Sequence, residues 1–403
     1  MTFWNDPINF LADWLRGVLT GWGLSASLAD ILLALLGILG LTVGSLVLAI
    51  FLVWVERKVV ARFQDRLGPN RIGPFGLIQP FADIIKLIIK EDITPAGADK
   101  LVYNLAPVLA LASVLFLWAI LPLASVVYGV DLNVALLYLV AAGALGTLAI
   151  IMAGWSSNNK YALLGAFRMV ATMISYEIPM VVTLLIPTIL AGTMSLRGIT
   201  EAQSGMWFFI LSPLATVIFL ISAVAELGRS PFDLNEAESE IVAGFHIEYT
   251  GMKFGLFYAG ELLHAFTFGG FVAILFFGGY GGFFGLQDLP AFAWLNNPFV
   301  QVPVFLAKAM FGYWVIMWIK YTMPRIRIDH MLAFNWKFLT PLALVVLVVT
   351  AVLDRVLAGS AFHAPGLFLS NLLIAWGTIE ILRRYGRKQR MAEESLAPQA
   401  AQH

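Results

Sequence analysis

Apolar residues in this chain come in long, nearly unbroken blocks instead of the one-faced spacing of a surface helix or strand. Blocks near 29–54, 102–125, 133–153, 162–191, 206–227, 254–280, 299–322, 338–357 and 365–382 carry few charges each. Roughly 20 apolar residues in a helix cross a hydrocarbon core of about 30 Å, and a helix satisfies its own backbone there. The pattern predicts an all-α fold, a polytopic membrane helical bundle of about nine transmembrane helices, the last block being the shortest.

Two further segments read as interfacial amphipathic helices. Residues 1–28 hold Phe3, Trp4, Phe10, Leu11, Trp14 and Leu15, and they lack the basic start of a cleavable leader while Asp6, Asp13 and, just beyond them, Asp30 add acid; an interfacial helix fits better. From Phe75 to Lys90 the polar residues are Gln79, Asp83, Lys86 and Lys90, on one helical face, with Phe, Leu and Ile elsewhere. Such a helix is about 24 Å long, short for a crossing. It is either a plain membrane-surface helix or the wall of a lipid-side opening. Asp83 favours the second, since a lipid-binding face needs only cations. The chain thus divides into an N-terminal interfacial segment 1–28, a transmembrane domain 29–382 and a basic tail 383–403.

Composition excludes much. The chain is 60% hydrophobic and 12% charged, with a mean hydropathy of +0.84, which excludes a soluble domain. No cysteine is present, which removes disulfides, thiolate metal sites, iron–sulfur clusters and covalent haem from this chain. Of the five histidines only His264 lies well inside a block, so a bis-histidine haem has no ligands. No Walker motif, metal-spaced His/Glu set or nucleophile triad appears. The run GGYGGFFG at 278–285 lacks the spacing of a dinucleotide fingerprint and reads as a turn. Twenty of the 25 Lys and Arg fall on one side of a nine-span arrangement, with Arg16, Arg197 and Arg355 on the other and Arg168 and Lys308 within the spans. By the positive-inside rule the basic loops and the C-terminus face the cytoplasm.

Acid is concentrated where it is expensive. From Glu226 to Glu261 the chain carries Glu226, Asp233, Glu236, Glu238, Glu240, Glu248 and Glu261 against two bases, Arg229 and Lys253. Such a cluster points to protons, a cation or a basic partner. Within the blocks lie Arg168, Glu177, Glu261 and Lys308. A central charge costs about 2.5–3.5 kcal/mol on insertion scales, so each needs protein or water around it. Arg168 and Glu177 are on opposite helical faces about 13 Å apart along the axis and must find partners elsewhere. Glu261 with His264, and Glu226 with Arg229, have a spacing that allows local contact. Helix-packing ion pairs are one reading. A proton path is the other, and the excess of acid over nearby base favours it.

The segments WVERK, QDRLGPNRIGPFGLIQPFADIIKL, GWSSNNKYALLGAFR with SYE, AELGRSPFDLNEAESEIVAGF with EY, and PRIRIDHMLAFNWKFLTP together resemble the H subunits of bacterial NADH–quinone oxidoreductase, respiratory complex I, and their mitochondrial counterpart, membrane subunit 1. The resemblance runs in order over residues 45–341. It implies a membrane-arm subunit that helps form the quinone chamber and couples quinone reduction to proton translocation, with no redox centre of its own. By motif, the chamber residues are Arg57, Arg66, Arg229, Phe232 and Asp233. The acidic funnel is Glu236, Glu238, Glu240 and Glu248, the membrane proton route is Glu177, Glu226 and Glu261, and Asp83, the acid of the surface helix, joins the proton route. The resemblance further implies a quinone substrate, ubiquinone or menaquinone, with FMN and iron–sulfur clusters in partner subunits. The partners it implies are the soluble quinone-site and iron–sulfur subunits, small membrane subunits and antiporter-like subunits. It also implies a place in the bacterial inner membrane. His330 and Lys320 stand where the family usually has Gln and Arg, and the ninth span is absent from mitochondrial versions.

Two rivals stand beside this reading. A membrane subunit of a membrane-bound hydrogenase would lack the arginine-bearing chamber motifs. A stand-alone cation/proton transporter would show an inverted repeat, and none is visible. The charge asymmetry makes a direct prediction: a reporter fused after Arg390 is active in the cytoplasm, and activity confined to the periplasm contradicts the nine-span reading.

Overall fold

The computed structural model describes residues 6–233 and 242–400; Glu236, Glu238 and Glu240 therefore lie outside the described residues. Among these the regular structure is all helical, with no strand. Helix α1 (Pro7–Gly21) starts on Asp6, whose side chain accepts from Asn9 N, and buries none of its residues. Phe10, Leu11 and Trp14 stand exposed, as a helix meant to rest on lipid requires. The ion pair of Arg16 and Asp30 ties it to α2 (Ala26–Phe63).

Helix α2 runs well past the expected end of its span, to Phe63. At 38 residues it is about 57 Å long, nearly twice the hydrocarbon thickness. A short turn, Pro74–Gly76, leads into α3 (Gln79–Ile89), the amphipathic helix expected from 75–90. Then come α4 (Lys100–Ala119), α5 (Ala135–Ser156) and α6 (Lys160–Ala191). Asp99 caps α4 by accepting from Leu101 N at 3.2 Å, and Asn159 caps α6 by accepting from Tyr161 N at 2.9 Å. Gly192 closes α6 in the left-handed region, φ +69°.

The expected span 206–227 is broken. After α7 (Leu196–Ala202) come α8 (Phe208–Leu211) and then α9 (Pro213–Glu226). Pro213 has no amide hydrogen to continue α8 and instead starts α9. At 14 residues α9 covers about 21 Å on its own, with the turn of α8 continuing the segment across the break. The remaining elements are α10 (Gly251–Phe276), α11 (Pro298–Thr322), the short α12 (Ile328–Phe334), α13 (Thr340–Val356) and α14 (His363–Ala400). A π-turn, Asn335–Leu339, joins α12 to α13. Among the described residues eight helices are long and apolar enough to cross a membrane; with the shorter α9 this is a multi-pass membrane bundle.

Helix α10 is its axis. It is 83% buried over its most apolar stretch, against 6% for α2, and it packs against α2, α4 and α11. Lipid tails are as apolar as the helices, so close backbone approach holds such bundles together. Gly269 and Gly312 provide it between α10 and α11: a Cβ on Gly269 would fall 2.5 Å from Ala309 O and 2.7 Å from Tyr313 N. These are backbone atoms and cannot swing aside. Gly269→Ala is expected to destabilise the detergent-purified subunit by about 1–3 kcal/mol. Gly143→Ala, where a Cβ meets nothing within 4 Å, leaves it near wild type in the same thermal unfolding measurement.

Candidate functional site

The buried face of α2 includes Ser45, Ala49, Leu52 and Glu56. Glu56, at the end of this face, is 5% exposed. A buried carboxylate needs compensating charge and donors, and Glu56 has both. Its Oε1 accepts from Arg229 Nη1 at 3.0 Å, Lys320 Nζ at 2.8 Å and the Tyr321 hydroxyl at 2.7 Å. The Tyr313 hydroxyl stands 3.5 Å from Oε2. Arg229 is 2% exposed and reaches Glu261 through Nη2 at 3.3 Å. Burial alone would lower the Arg229 guanidinium; Glu56 and Glu261 outweigh it and hold the group above its ordinary value. This hub joins α2, α10, α11 and the loop after α9, with two acids against two bases.

Arg229 thus pairs with Glu56 and Glu261, and the local Glu226–Arg229 contact that the spacing allowed does not form. The chain leaves its helical path at Leu227–Gly228, Gly228 lying at φ +59°, and the guanidinium turns toward α2. Glu226 is buried, and its Oε2 has no hydrogen-bond partner among the described residues. Glu177 of α6 lies within electrostatic reach of it. Lys308 is not near these acids either. Its Nζ donates to Phe277 O at 2.8 Å and Gly281 O at 2.7 Å, between the Trp207 and Phe283 rings. It caps the carbonyl end of α10 and braces the glycine-rich turn.

Beside the hub is a cavity of about 250 Å³ whose polar wall comprises Glu226, Glu261, His246, His264, Tyr258 and Lys320, and whose apolar wall includes Met169, Met173, Phe254 and Phe257. It has room for several waters, at about 30 Å³ each, and the two or more polar partners a buried water requires. Burial pushes the His246 imidazole below its ordinary value, with Asp233 pulling the other way.

The other expected residues form satellites. Arg57 and Asp83 make an ion pair at 2.5 Å that pins α3 to the end of α2, assisted by Trp54 Nε1 donating to Phe75 O at 3.1 Å. Arg66 is exposed, its Nε donating to Gln64 Oε1 at 2.7 Å. Together with Arg57 and Arg71 it lines an open groove of about 700 Å³. Asp233 pairs with Arg325 at 3.0 Å, and Phe232 is buried against Tyr176 with ring centroids 5.1 Å apart. Ile326 N donates to Pro231 O at 3.1 Å, so the Arg229–Asp233 loop is docked on the PRIR segment. Glu248 accepts from Asn159 Nδ2 at 2.7 Å, while its carbonyl accepts from the Tyr103 hydroxyl at 2.7 Å.

Sequence reasoning missed Glu56, Tyr313 and Tyr321, and treated Lys320 only as a departure from a family pattern. A signal for Glu56 existed: it follows Ser45, Ala49 and Leu52 at four- and three-residue steps, which marks a helix contact face. Removing Arg229 would leave Glu56 undercompensated in a buried place. Arg229→Met is expected to destabilise the purified subunit by about 3–5 kcal/mol. Adding Glu56→Gln should recover part of that loss; strict additivity of the two variants in chemical denaturation would contradict a direct pair.

Known proteins resemble the chain over most of its length. A family model described as NADH dehydrogenase matches residues 36–351. The NADH-quinone oxidoreductase H subunit of Dehalococcoides mccartyi (strain CBDB1) is 43% identical over 361 residues, 89% of this chain and 97% of the relative. An NADH-quinone oxidoreductase H subunit of Geobacter metallireducens is 45% identical over 314 residues, 76% and 91% of the two chains. The corresponding H subunit of Geobacillus kaustophilus is 45% identical over 316 residues, 77% and 92% of the two. With sequence identity and the all-helical membrane architecture in agreement, the chain belongs to the family of NADH-quinone oxidoreductase H subunits.

Proposed function

We propose that this chain helps form the quinone chamber of a proton-pumping NADH–quinone oxidoreductase and couples quinone reduction to proton translocation. The observation that carries this reading is the Glu56–Arg229–Glu261 hub, a set of buried charges opening onto a cavity that also holds Glu226. The domain division 1–28, 29–382 and 383–403 belongs to the same proposal, as do the bacterial inner membrane and a cytoplasmic C-terminus.

NADH gives up a hydride, and its two electrons reach the quinone through FMN and iron–sulfur clusters in partner subunits. The quinone takes up two protons with them and leaves as quinol. This chain contributes placement and electrostatics. Arg57, Arg66, Arg229, Phe232 and Asp233 shape the chamber rim, with Asp83 fixing Arg57 in position. Soluble quinone-site subunits dock over that rim, and antiporter-like subunits take up the charge signal along the membrane. The funnel residues Glu236, Glu238, Glu240 and Glu248 feed protons toward Glu226, Glu261 and Glu177. Arg229 and Glu56 supply the responsive element. A charge change in the chamber alters the field at Arg229, and Glu261 and Glu226 gain or release a proton in answer. One pKa unit is about 1.4 kcal/mol, so a modest change in field suffices.

The test is the assembled complex in vesicles. Glu226→Gln and Glu177→Gln keep shape and hydrogen bonding, so assembly and NADH oxidation by an artificial acceptor survive. Proton uptake per NADH oxidised falls several-fold, and Glu→Asp at either position is milder. Arg57→Ala and Asp233→Ala lower quinone-dependent turnover on the same assembled background. Wild-type proton uptake in the Gln variants would make these acids packing features and remove the proton route.

A further inference from the structure

Helix α10 carries one more titratable group into the cavity, and the proposed route does not use it. His264 lies one turn beyond Glu261, farther from the helix start at Gly251, and lines the same cavity as Glu226, Glu261 and Lys320. It is the innermost titratable residue of α10. On the next turn Thr267 is already engaged, accepting from Trp118 Nε1 at 2.8 Å and donating to Leu263 O at 2.7 Å. From Phe268 to Phe276 the helix is wholly apolar.

The surroundings leave the imidazole facing open space. Phe268 backs it, with ring centroids 5.0 Å apart. Across the cavity α4 presents Ser113 and α5 presents Gly146. A Cβ on Gly146 would come 3.2 Å from Ser113 Oγ, so glycine keeps this end clear. The inner end thus joins a ring with two exchangeable nitrogens to a water-sized space that leads back to two carboxylates.

We propose that His264 is a proton-relaying residue, whose imidazole exchanges protons through cavity water with Glu226 and Glu261 and extends the acidic route one helical turn deeper. This inference rests on the cavity being a proton route. One ring nitrogen accepts a proton from water as the other releases its own, so a proton moves with no charge left on the ring and no electron transferred. Charged and titratable groups face the ring from α9 (Glu226), from α10 (Glu261 and Tyr258), from α11 (Lys320) and from the turn bearing His246, with Arg229 within electrostatic reach. α4 and α5 add only Ser113, Gly146 and apolar groups to the cavity wall. The carboxylates attract a proton to the ring, and Arg229 and Lys320 repel it. The direction of proton exchange through the ring therefore follows the charge state of the hub.

The experiment compares wild type, His264→Gln, His264→Leu, Glu226→Gln and Glu261→Gln in the intact complex in vesicles, reading proton uptake per NADH across pH. Both His264 variants should assemble and oxidise NADH with an artificial acceptor. Both should lose several-fold in proton uptake per NADH at every pH. A wild-type profile in His264→Gln beside a defective Glu226→Gln overturns the His264 role and leaves the route standing. A defect in His264→Leu alone shows packing and overturns it as well. Wild-type behaviour in all four variants overturns both the relay and the route.

Discussion

A guanidinium 2% exposed within a membrane bundle is the constraint on which the rest of this structure depends. Desolvating such a charge costs several kcal/mol, and the cost is offset only by well-placed opposite charge. Arg229 finds it in Glu56 and Glu261. That requirement brings the end of α2, the middle of α10 and the end of α11 to one place, and it holds the 229–233 loop down on the segment after α11. The extra length of α2 carries Glu56 into the hub, and beyond it Arg57 pairs with Asp83 and Phe63 packs against Tyr321.

The hub is balanced, and its neighbours are not. Glu56 and Glu261 face Arg229 and Lys320, while Glu226, with one buried oxygen lacking a hydrogen-bond partner among the described residues, faces Glu177 and a cavity. On the proposed route, this is the carboxyl group that answers a change in the field around it. A balanced set of charges next to an unbalanced one is a suitable arrangement for passing a charge signal, because disturbing the first alters the second without breaking the fold. The glycine contacts along α10 and the Lys308 brace at its far end hold the frame around both sets of charges.

The sequence made the helices legible because membrane spans announce themselves by block length. The amphipathic α3 was legible from the positions of Gln79, Asp83 and Lys86, and the break before α9 could have been read from Pro213. The charge partners were much less so. Glu56 and Lys320 are separated by 264 residues, and no local pattern links them. Local spacing suggested Glu226 with Arg229, and chain direction defeated it, since Gly228 turns the arginine away. Lys308 was legible as a buried charge in need of a partner, and the carbonyl end of α10 and the turn after it supply that partner. Local rules identify which groups need a partner, and the packing of the bundle decides which partner they get.

The central claim is that quinone reduction changes the protonation of a buried carboxyl through the Arg229 hub. Infrared difference spectroscopy of the intact complex, triggered by NADH in the presence of quinone, tests it most directly. The account predicts a carboxyl protonation band that disappears in Glu226→Gln and weakens in Arg229→Lys while electrons still enter from NADH. A spectrum with no carboxyl change on quinone reduction, or with a band indifferent to both substitutions, would contradict it.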